Sequence, residues 1–509
     1  MSLRVSVRSV LLCAAILIPV AALAQDVPPA PGDSIQQPFA DTDRADEKAA
    51  DSAKKPAFDA SVIAQGQAAF QANCTECHDA NLSLHKQKSL NGWRNTVRRM
   101  AALEGASVPA GDWEAIAIYL TAVHRGAEVT VDDSKQPSEH DADERFSIYG
   151  TLSPTYRSGT GDVQNRGFFP EVWLGVAFQP KGFVSARATA CLSCHNSGDV
   201  EGRIDLVEAA VRFDFMQLVE PRCRGNWQAT VDAGRFVVPF GAFSSQVNPG
   251  VFRTVSKPLI FNMGLRVLDS QLGDPVLPMP YSDAGANLNF GVPITESIMA
   301  TWNGYVVNGL QGGANGINFD ASTNYTDNNR SPAIGSRVTV GNQYMKLGGS
   351  IMGGRFANFP NAPPVDSSLT YMIFGADLTL RYQDLIRIQC EYAQRNTDRV
   401  LDPAVYPALP ALIIDRERVG GGYVEAEALI SRKYKISALV RYDDQVRNAL
   451  IPPPDSALTT GNFSVSRFTY GLNWTLPGGS LLMVNHEYWH LPKGLQDVNV
   501  VGVRWAATF

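Results

Sequence analysis

The sequence lacks long apolar runs and a large excess of charge of either sign. Its first apolar run, from Val10 to Val20, is too short to span a bilayer, and no later stretch offers about 18 unbroken apolar residues. The net charge is −6 over 509 residues, and there is no basic patch of the type that binds nucleic acid. A helical membrane protein and a nucleic-acid-binding protein are therefore not expected.

The short apolar run has the setting of an export signal. Arg4 and Arg8 precede it and the small-residue sequence Ala-Leu-Ala follows it at 22–24, which is the order of a secretory signal peptide. We therefore expect residues 1–24 to be a removable signal, followed by an Asp-, Ala- and Pro-rich tether over residues 25–56. No cysteine directly follows the predicted cleavage site, so a lipid anchor is not indicated.

Cysteine is also scarce, and most of it stands in two C-x-x-C-H runs. Of the 7 cysteines, Cys13 lies in the signal, and Cys223 and Cys390 are far apart and are interpreted as unpaired thiols. A C-x-x-C-H run is the signature of covalent haem attachment, in which both thiols bond the haem and the histidine binds the iron. A disulfide in each run is the alternative, because export favours oxidation, although a disulfide does not need the histidine. We therefore predict two covalently bound c-type haems, held by Cys74, Cys77, Cys191 and Cys194 and bound at iron by His78 and His195.

Residues 57–125 carry helical periodicity and end at a second polar linker over residues 126–143. Gly66 and Phe70 stand ahead of the first haem run at the spacing G-x-x-x-F-x-x-x-C-x-x-C-H, and this module resembles the class I c-type cytochromes. The resemblance implies a small all-α domain that encloses one haem.

The sixth iron ligand of this first haem is predicted from the next helix. Trp93, Val97 and Met100 recur there on one stripe by i, i+4, i+7 spacing. In the class I family a methionine between the later helices closes the haem, and Met100 matches that position. The alternative is that Met100 packs against the haem edge and that His85 or His124 is the ligand.

From Glu144 onward the helical periodicity gives way to alternating segments of about ten residues, separated by Gly, Pro, Asn and Asp. One such segment has Arg467, Thr469 and Asn473 on one face and Phe468, Tyr470, Leu472 and Trp474 on the other. Polar groups on one face and bulky apolar groups on the other suit a wet lumen and a lipid exterior. The last strand ends on Phe509, which resembles the terminal signal of bacterial outer-membrane barrels. We predict a barrel of about 16 antiparallel strands over residues 144–509.

Counting strands predicts where the second haem run lies. Both ends of an even-stranded barrel lie on the periplasmic side, so a third strand that starts at Phe183 rises toward the outer mouth. Its period-two alternation turns Arg187, Thr189 and Cys191 to the lumen, and the fourth strand is predicted to turn Val207 to lipid. The second haem is thus expected in the lumen near the outer mouth. Its sixth ligand stays open, with His486 and His490 on the penultimate strand as candidates that could equally have no iron nearby.

The segment over residues 240–294 is too long and too rich in proline for a plain hairpin. We predict that it folds into the lumen as a constriction, and whether Lys257–Val267 forms a strand within it stays open. The stretches Val237–Phe243, Trp302–Gly309 and Gly375–Leu378 resemble porins related to the phosphate-selective type.

The order of signal, C-x-x-C-H run and barrel resembles the outer-membrane fused cytochrome c–porin family of the iron-oxidase type. The resemblance implies a small all-α class I cytochrome c domain fused to an antiparallel transmembrane β-barrel of about 16 strands. It implies a protein of the bacterial outer membrane, with the cytochrome domain on the periplasmic side or in the lumen. Single electrons would pass between an extracellular partner, such as ferrous iron, and a soluble periplasmic cytochrome. The chain departs from that family in its second haem run, which lies within the barrel.

Two other functions are weighed against this electron conduit. The first is a solute-transporting porin with an accessory or sensing cytochrome, in which the lumen candidates Arg187, Arg212 and Arg387 favour anions. The second is a soluble periplasmic dihaem peroxidase, which would need helices around both haems that residues 144–509 do not offer.

Overall fold

The computed structural model describes residues 59–74, 90–101, 108, 112–125 and 146–509, the last range with gaps. The gaps are 162, 164–165, 179–182, 195–203, 220–226, 263–271, 296–297, 314–315, 324–326, 328, 330, 343, 358–368, 383–384, 402–406, 408–412, 454–457 and 477–479. Several predictions fall outside the described residues: the signal, the tether, the linker over 126–143, Cys77, His78, His85, His195 and Cys223.

Three short helices precede the barrel: α1 (Ala60–Asn73), α2 (Leu90–Ala101) and α3 (Trp113–Arg125). A Cβ on Gly66 of α1 would lie 2.0 Å from the carbonyl oxygen of Ala115, so glycine allows α1 and α3 to touch. Phe70, Trp93 and Ile116, one from each helix, are buried in one apolar core. None of the described helices is long and apolar enough to cross a membrane.

The ends of these helices are held by polar contacts. The Asp59 carboxylate accepts a hydrogen bond from the backbone N–H of Ser61 at 2.9 Å, and this contact lowers the pKa of Asp59. Asp112 accepts a hydrogen bond from the Asn73 side chain at 3.3 Å, joining the end of α1 to the start of α3. Burial raises the pKa of Asp112 because it disfavours the charged carboxylate.

The predicted fold class, a small all-α class I cytochrome c domain fused to a barrel, is wrong as stated. The described residues form a closed barrel of 16 antiparallel strands and three short helices, and a separate all-α cytochrome domain is not shown. The spacing of Gly66 and Phe70 reports local helix contacts, which the structure has. Such local contacts do not determine the fold that surrounds them, and this is why the pattern misled.

The barrel is built from consecutive strands that each pair with their neighbours in the chain, and β16 pairs with β1 to close it. The backbone of Phe509 completes the closure, since its N–H donates to Gly150 at 3.0 Å. The strands are β1 (Phe146–Gly159), β2 (Gly167–Phe178), β3 (Val184–Leu192), β4 (Ile204–Asp214), β5 (Gln228–Val237), β6 (Ser282–Pro293), β7 (Met299–Val307), β8 (Ala333–Gly341), β9 (Met345–Ala357), β10 (Leu369–Tyr382), β11 (Ile386–Leu401), β12 (Ile413–Ser431), β13 (Ile436–Asn448), β14 (Phe463–Thr475), β15 (Leu481–His490) and β16 (Val498–Thr508).

The two faces of the strands differ sharply in chemistry. On β14 the outward residues Phe468 and Trp474 are exposed, whereas Arg467 and Thr469, on either side of Phe468, point inward and are buried. The same division occurs on the other strands, because side chains alternate along a strand. An apolar outer face around a charged interior is the arrangement of a transmembrane barrel.

The two ends of the barrel differ in the length of their connections. The end that holds the start of β1 and the end of β16 has mostly short turns, such as 342–344, 383–385 and 432–435. The opposite end carries long connections, including 308–332 and 449–462. Short turns lie on the periplasmic side of such barrels and long loops outside, so β3 rises and ends at the outer mouth.

Between β5 and β6, the described residues 238–262 and 272–281 fold into the barrel, and we call them the inward segment. Its described residues include Phe240, Ile260 and Phe261, which are fully buried. The predicted constriction is therefore present, although β6 already begins at Ser282. Within Lys257–Val267, the described residues form a 3-10 turn at Leu259–Phe261 and no strand.

The prediction that Val207 faces lipid is wrong. The pairing of β3 with β4 shifts by one residue between Thr189 and Ala190, which is a β-bulge. Beyond the bulge the alternation of β4 is reversed, and Val207 is 2% exposed within the apolar cluster inside the barrel.

Candidate functional site

The inward segment is fastened to the charged wall of the lumen by its backbone. The N–H groups of Val255 and Leu259 donate to Asn485 at 2.6 Å and to Asp443 at 2.8 Å. The N–H of Phe243 donates to Glu391 at 3.2 Å. These acceptors lie on β11, β13 and β15, so a broad arc of the wall binds the segment.

The side chains of the inward segment fill much of the lumen. The rings of Phe243 and Phe261 stack with their centres 5.6 Å apart. Both belong to one buried cluster that also contains Trp173 of β2 and Tyr305 of β7. Because this cluster reaches from the segment to widely separated strands, it narrows the described part of the lumen.

The positive charges of Arg187, Arg212 and Arg387, which are expected to favour anions, are neutralised by acidic side chains. The structure places all three inside the barrel, as their alternation predicts, but each arginine has an acidic partner on the next strand. The pairs are Arg187–Glu208, Arg212–Asp232 at 2.7 Å and Arg387–Glu425 at 2.9 Å. These arginines therefore line the lumen as parts of ion pairs and not as free cations.

The second C-x-x-C-H run lies where strand counting predicts. Cys191, the last residue but one of β3, faces the lumen and is 1% exposed, near the buried Cys194. The structure joins Cys191 and Cys194 in a disulfide, which is the alternative that the sequence left open. The carboxylate of Asp205 lies within 4.8 Å of both sulfur atoms.

The inward segment also touches this cysteine pair. The Lys257 ammonium group donates to the carbonyl oxygens of Cys194 at 2.8 Å and Met279 at 2.9 Å. Lys257 therefore joins Cys194, just beyond β3, to the inward segment and also joins two parts of that segment.

The residues of the first run are described only in part. Cys74 lies at the end of α1, half-buried, with its N–H donating to Phe70 at 2.9 Å. Met100 is half-buried on α2. Cys77 and His78 lie outside the described residues, so the structure does not show whether they come together with Cys74 and Met100. That these residues hold a haem stays a prediction.

The two histidines predicted as possible ligands of a second haem do not lie on the lumen face that carries Cys191. His486 faces outward, and its ring lies 5.0 Å from that of Tyr470. His490 is exposed at the end of β15, with Nδ1 3.0 Å from Asp497. Neither side chain enters the lumen, so neither can reach Cys191. The hydrogen bonds from Tyr488 and His490 lower the pKa of Asp497 to about 2.

Sequence reasoning missed a group of charged lumen residues near the outer mouth. Arg395 and Arg399 lie on the lumen face of β11, and both are almost fully buried. The signal was present, because the alternation that puts Arg387, Gln389 and Glu391 inward continues at every second residue to 399. What the pattern could not show is which of these arginines has an acidic partner.

No protein-family model matches this chain, and no curated protein matches it. Among solved structures it is similar to an anion-selective porin from Comamonas acidovorans, with 10% identity and a TM-score of 0.46 over 72% of this chain and 99% of that one. It is also similar to OmpF of Salmonella typhi, with 10% identity and a TM-score of 0.44 over 71% of this chain and 97% of that one. The outer-membrane channel DcaP of Acinetobacter baumannii gives 9% identity and a TM-score of 0.44 over 72% of this chain and 97% of that one.

These likenesses are too distant to assign a substrate, and the barrel architecture rests on the strand pairing itself. The porin-type barrel of the predicted family is present, whereas nothing in the described residues supports its cytochrome module or an iron oxidase.

Proposed function

We propose that the chain is a channel protein of the bacterial outer membrane that passes small polar solutes through a lumen narrowed by the inward segment. The observation that carries the proposal is a closed barrel of 16 strands with an apolar exterior and a charged interior. An even strand number, short turns at one end and long loops at the other are typical of bacterial outer-membrane barrels. The charged wall favours polar over apolar solutes.

The inward segment sets the size limit in this proposal. A barrel of 16 strands without an inward segment leaves an aqueous channel. Here Phe243, Phe261 and Trp173 belong to one cluster that occupies part of that space. We therefore expect slow passage of small solutes and exclusion of larger ones.

Solute uptake by proteoliposomes tests this function. Vesicles with the full chain should take up a small sugar slowly but measurably, and Phe261→Ala should speed this up because it thins the lumen cluster. Phe468→Ala makes the same change on the lipid face and serves as the matched control, with uptake like that of the unaltered protein. Vesicles as tight as protein-free vesicles, with both the unaltered chain and Phe261→Ala, would contradict the proposal.

We propose as a second candidate that the two C-x-x-C-H runs bind c-type haems through Cys74, Cys77, Cys191 and Cys194, with His78, Met100 and His195 at iron. The position of Cys191 favours it: it lies opposite Trp173 in the pairing of β2 with β3, within a buried apolar cluster. Two adjacent cysteines in such surroundings fit a covalently held haem. When bound, these groups would supply one-electron transfer between an extracellular partner and a periplasmic cytochrome.

Haem content decides between this candidate and the disulfide. The purified full chain should carry two haems, and Cys191→Ser with Cys194→Ser should leave one. Cys390→Ser removes a buried cysteine outside both runs and should leave both haems in place. One haem in the unaltered chain, which the double variant keeps, assigns Cys191 and Cys194 to the disulfide. No haem in the unaltered chain contradicts the haem proposal for both runs.

A further inference from the structure

The cysteine pair at the end of β3 has a third metal-binding side chain beside it. Cys191 and Cys194 are each 1% exposed, and the carboxylate of Asp205 lies within 4.8 Å of both sulfur atoms. Thiolate sulfur and carboxylate oxygen are both ligands of zinc in proteins. The three side chains therefore have the composition of a metal site, and we call them the thiol–carboxylate site.

A β-bulge in the wall brings Asp205 to this position. The pairing of β3 with β4 shifts between Thr189 and Ala190, and beyond the shift Cys191 pairs directly with Asp205. Directly paired residues point to the same face of a sheet, so Asp205 shares the lumen face of Cys191. Glu208, on the other side of the shift, also faces the lumen, and without the bulge the period of two would turn Asp205 to lipid. The inserted residue thus places an acid beside the two thiols.

The turn between the cysteines holds their side chains together. Ser193 has a φ of +61°, in the left-handed region that residues other than glycine seldom adopt. Such a conformation persists where the surrounding structure fixes it, and it is common at ligand sites. The Lys257 ammonium group donates to the carbonyl oxygen of Cys194 at 2.8 Å. A positive charge near the pair favours the thiolate form of cysteine, which is the form that binds metals.

The spacing of the three ligand atoms fits one tetrahedral ion once the thiols are reduced. Bond lengths of about 2.0–2.3 Å to zinc put two ligands of a tetrahedral ion about 3.5–3.8 Å apart. The carboxylate oxygen starts within 4.8 Å of both sulfur atoms, so small side-chain rotations reach this spacing. A C-x-x-C run is also a ligand spacing of structural zinc sites. Three protein ligands leave the fourth position to water, and the half-buried Asp205 gives access from the lumen.

We propose that the thiol–carboxylate site, in its reduced form, binds a thiophilic divalent cation, with Zn²⁺ as its representative. Opening the disulfide between Cys191 and Cys194 takes two electrons and two protons from a dithiol, which becomes a disulfide, or from a phosphine and water, which become a phosphine oxide. Binding of Zn²⁺ then displaces the two thiol protons. A small disulfide, itself reduced to two thiolates, re-forms the bond and releases Zn²⁺.

This site goes beyond the proposed channel, because it requires the folded barrel and not the passage of solute. It competes with a haem on the same run, since covalent attachment of haem consumes both thiols. Asp205 separates the two: a haem held by Cys191 and Cys194 does not need this carboxylate, whereas the metal site does.

Zinc binding by the purified full chain in detergent tests the site, after metals are removed with a chelator and the disulfide is reduced with a phosphine. The first C-x-x-C-H run has two further thiols, so the unaltered chain is compared with the double variant Cys191→Ser, Cys194→Ser. We expect the unaltered chain to bind one Zn²⁺ more than the double variant. It should bind this ion more tightly at about pH 8 than at about pH 6, because protons are displaced. Mg²⁺ should not compete, since it prefers oxygen ligands.

Co²⁺ provides a spectroscopic signature of the same site. Bound to the reduced chain, it should give a thiolate-to-metal charge-transfer absorption that the double variant lacks. Oxidation with a small disulfide should abolish this absorption, because the thiolates are then joined to each other.

Asp205→Asn keeps the size of the side chain and removes its charge. It should weaken Zn²⁺ binding at least about tenfold, because loss of a group that only supports a ligand already costs about 10–100-fold in metal affinity. The haem content of the chain should not change. The matched control is Asp320→Asn, because Asp320 is an exposed acid outside the site, and it should bind Zn²⁺ as the unaltered chain does.

Three results would each overturn the proposal. The first is a reduced chain that binds no more Zn²⁺ than the double variant. The second is Asp205→Asn binding Zn²⁺ as tightly as Asp320→Asn. The third is a haem that the purified chain carries and the double variant loses, because no thiol is then left for the metal. None of these results changes the outcome of the uptake experiment, which tests the channel by itself.

Discussion

The lumen contains two groups of arginines that are alike in burial and different in their partners. In the middle of the lumen, Arg441 and Arg467 share Asp443, and both also donate to backbone oxygens of the inward segment. Near the outer mouth, Arg399 has only a carboxylate at 3.7 Å, that of Glu417, and no hydrogen bond among the described residues. The same residue type on the same face of neighbouring strands thus occurs in two electrostatic settings.

This difference shows how the number of acceptors determines what a buried arginine does. Where acids and carbonyl oxygens are sufficient, the guanidinium joins parts of the protein, here the wall and the inward segment. Where they are too few among the described residues, the guanidinium keeps donors without a hydrogen bond and its burial is costly. Substitutions in the two groups should therefore change stability in opposite directions.

The largest effect is expected for Arg467→Gln. This change leaves Asp443 and Glu487 buried with less compensation and removes the contact with the Lys257 carbonyl oxygen. We expect the free energy of unfolding to fall by about 3–5 kcal/mol, the usual cost of removing one partner of a buried ion pair. Urea unfolding in detergent micelles measures it, with Arg416→Gln as the control, because the Arg416 side chain is 75% exposed. A loss as small as that of the control would mean that the inward segment does not depend on this contact.

A smaller effect is expected at Gly241, where the inward segment passes close to Glu391 on the wall. Gly241 has a φ of +71°, and a Cβ there would lie 1.6 Å from Glu391 Oε1. Gly241→Ala should lower the free energy of unfolding by about 1–3 kcal/mol, from the strained backbone and the displaced carboxylate. The control is Gly349→Ala, because a Cβ at Gly349 meets no atom within 4 Å. Equal stability of the two variants would show that the segment can retreat from the wall without cost.

The smallest effect, and the opposite sign, is expected for Arg399→Gln in buffer free of phosphate and sulfate. Removal of a buried charge without a hydrogen-bond partner should leave the stability unchanged or raise it by up to about 1 kcal/mol. A large loss of stability in anion-free buffer would place Arg399 with Arg467 and remove the distinction between the two groups.

The alternation of the strands could be read from the sequence because it is a local property. Arg387 and Cys191 face the lumen as the period of two predicts, because successive side chains of a strand point to opposite faces. The error at Val207 came from one inserted residue, whose effect on the pairing of β3 and β4 no period reveals.

The partners of the lumen residues could not be predicted, because they lie on other strands or on the inward segment. Arg467 and the Lys257 carbonyl oxygen are 210 positions apart in the chain. His486 illustrates the same limit: as a residue type it is a good iron ligand, but its position on β15 turns it outward. The C-x-x-C-H run that begins at Cys74 likewise predicts a haem without showing whether the chain encloses one.

Single-channel conductance in a planar bilayer tests the central claim most directly, namely that the inward segment narrows a charged lumen without closing it. The account predicts small, discrete conductance steps for the unaltered chain and larger steps for Phe261→Ala, with Phe468→Ala unchanged. The absence of steps in the unaltered chain and in Phe261→Ala would contradict it. Steps of equal size in all three proteins would also contradict it, because the inward segment would then not limit the passage.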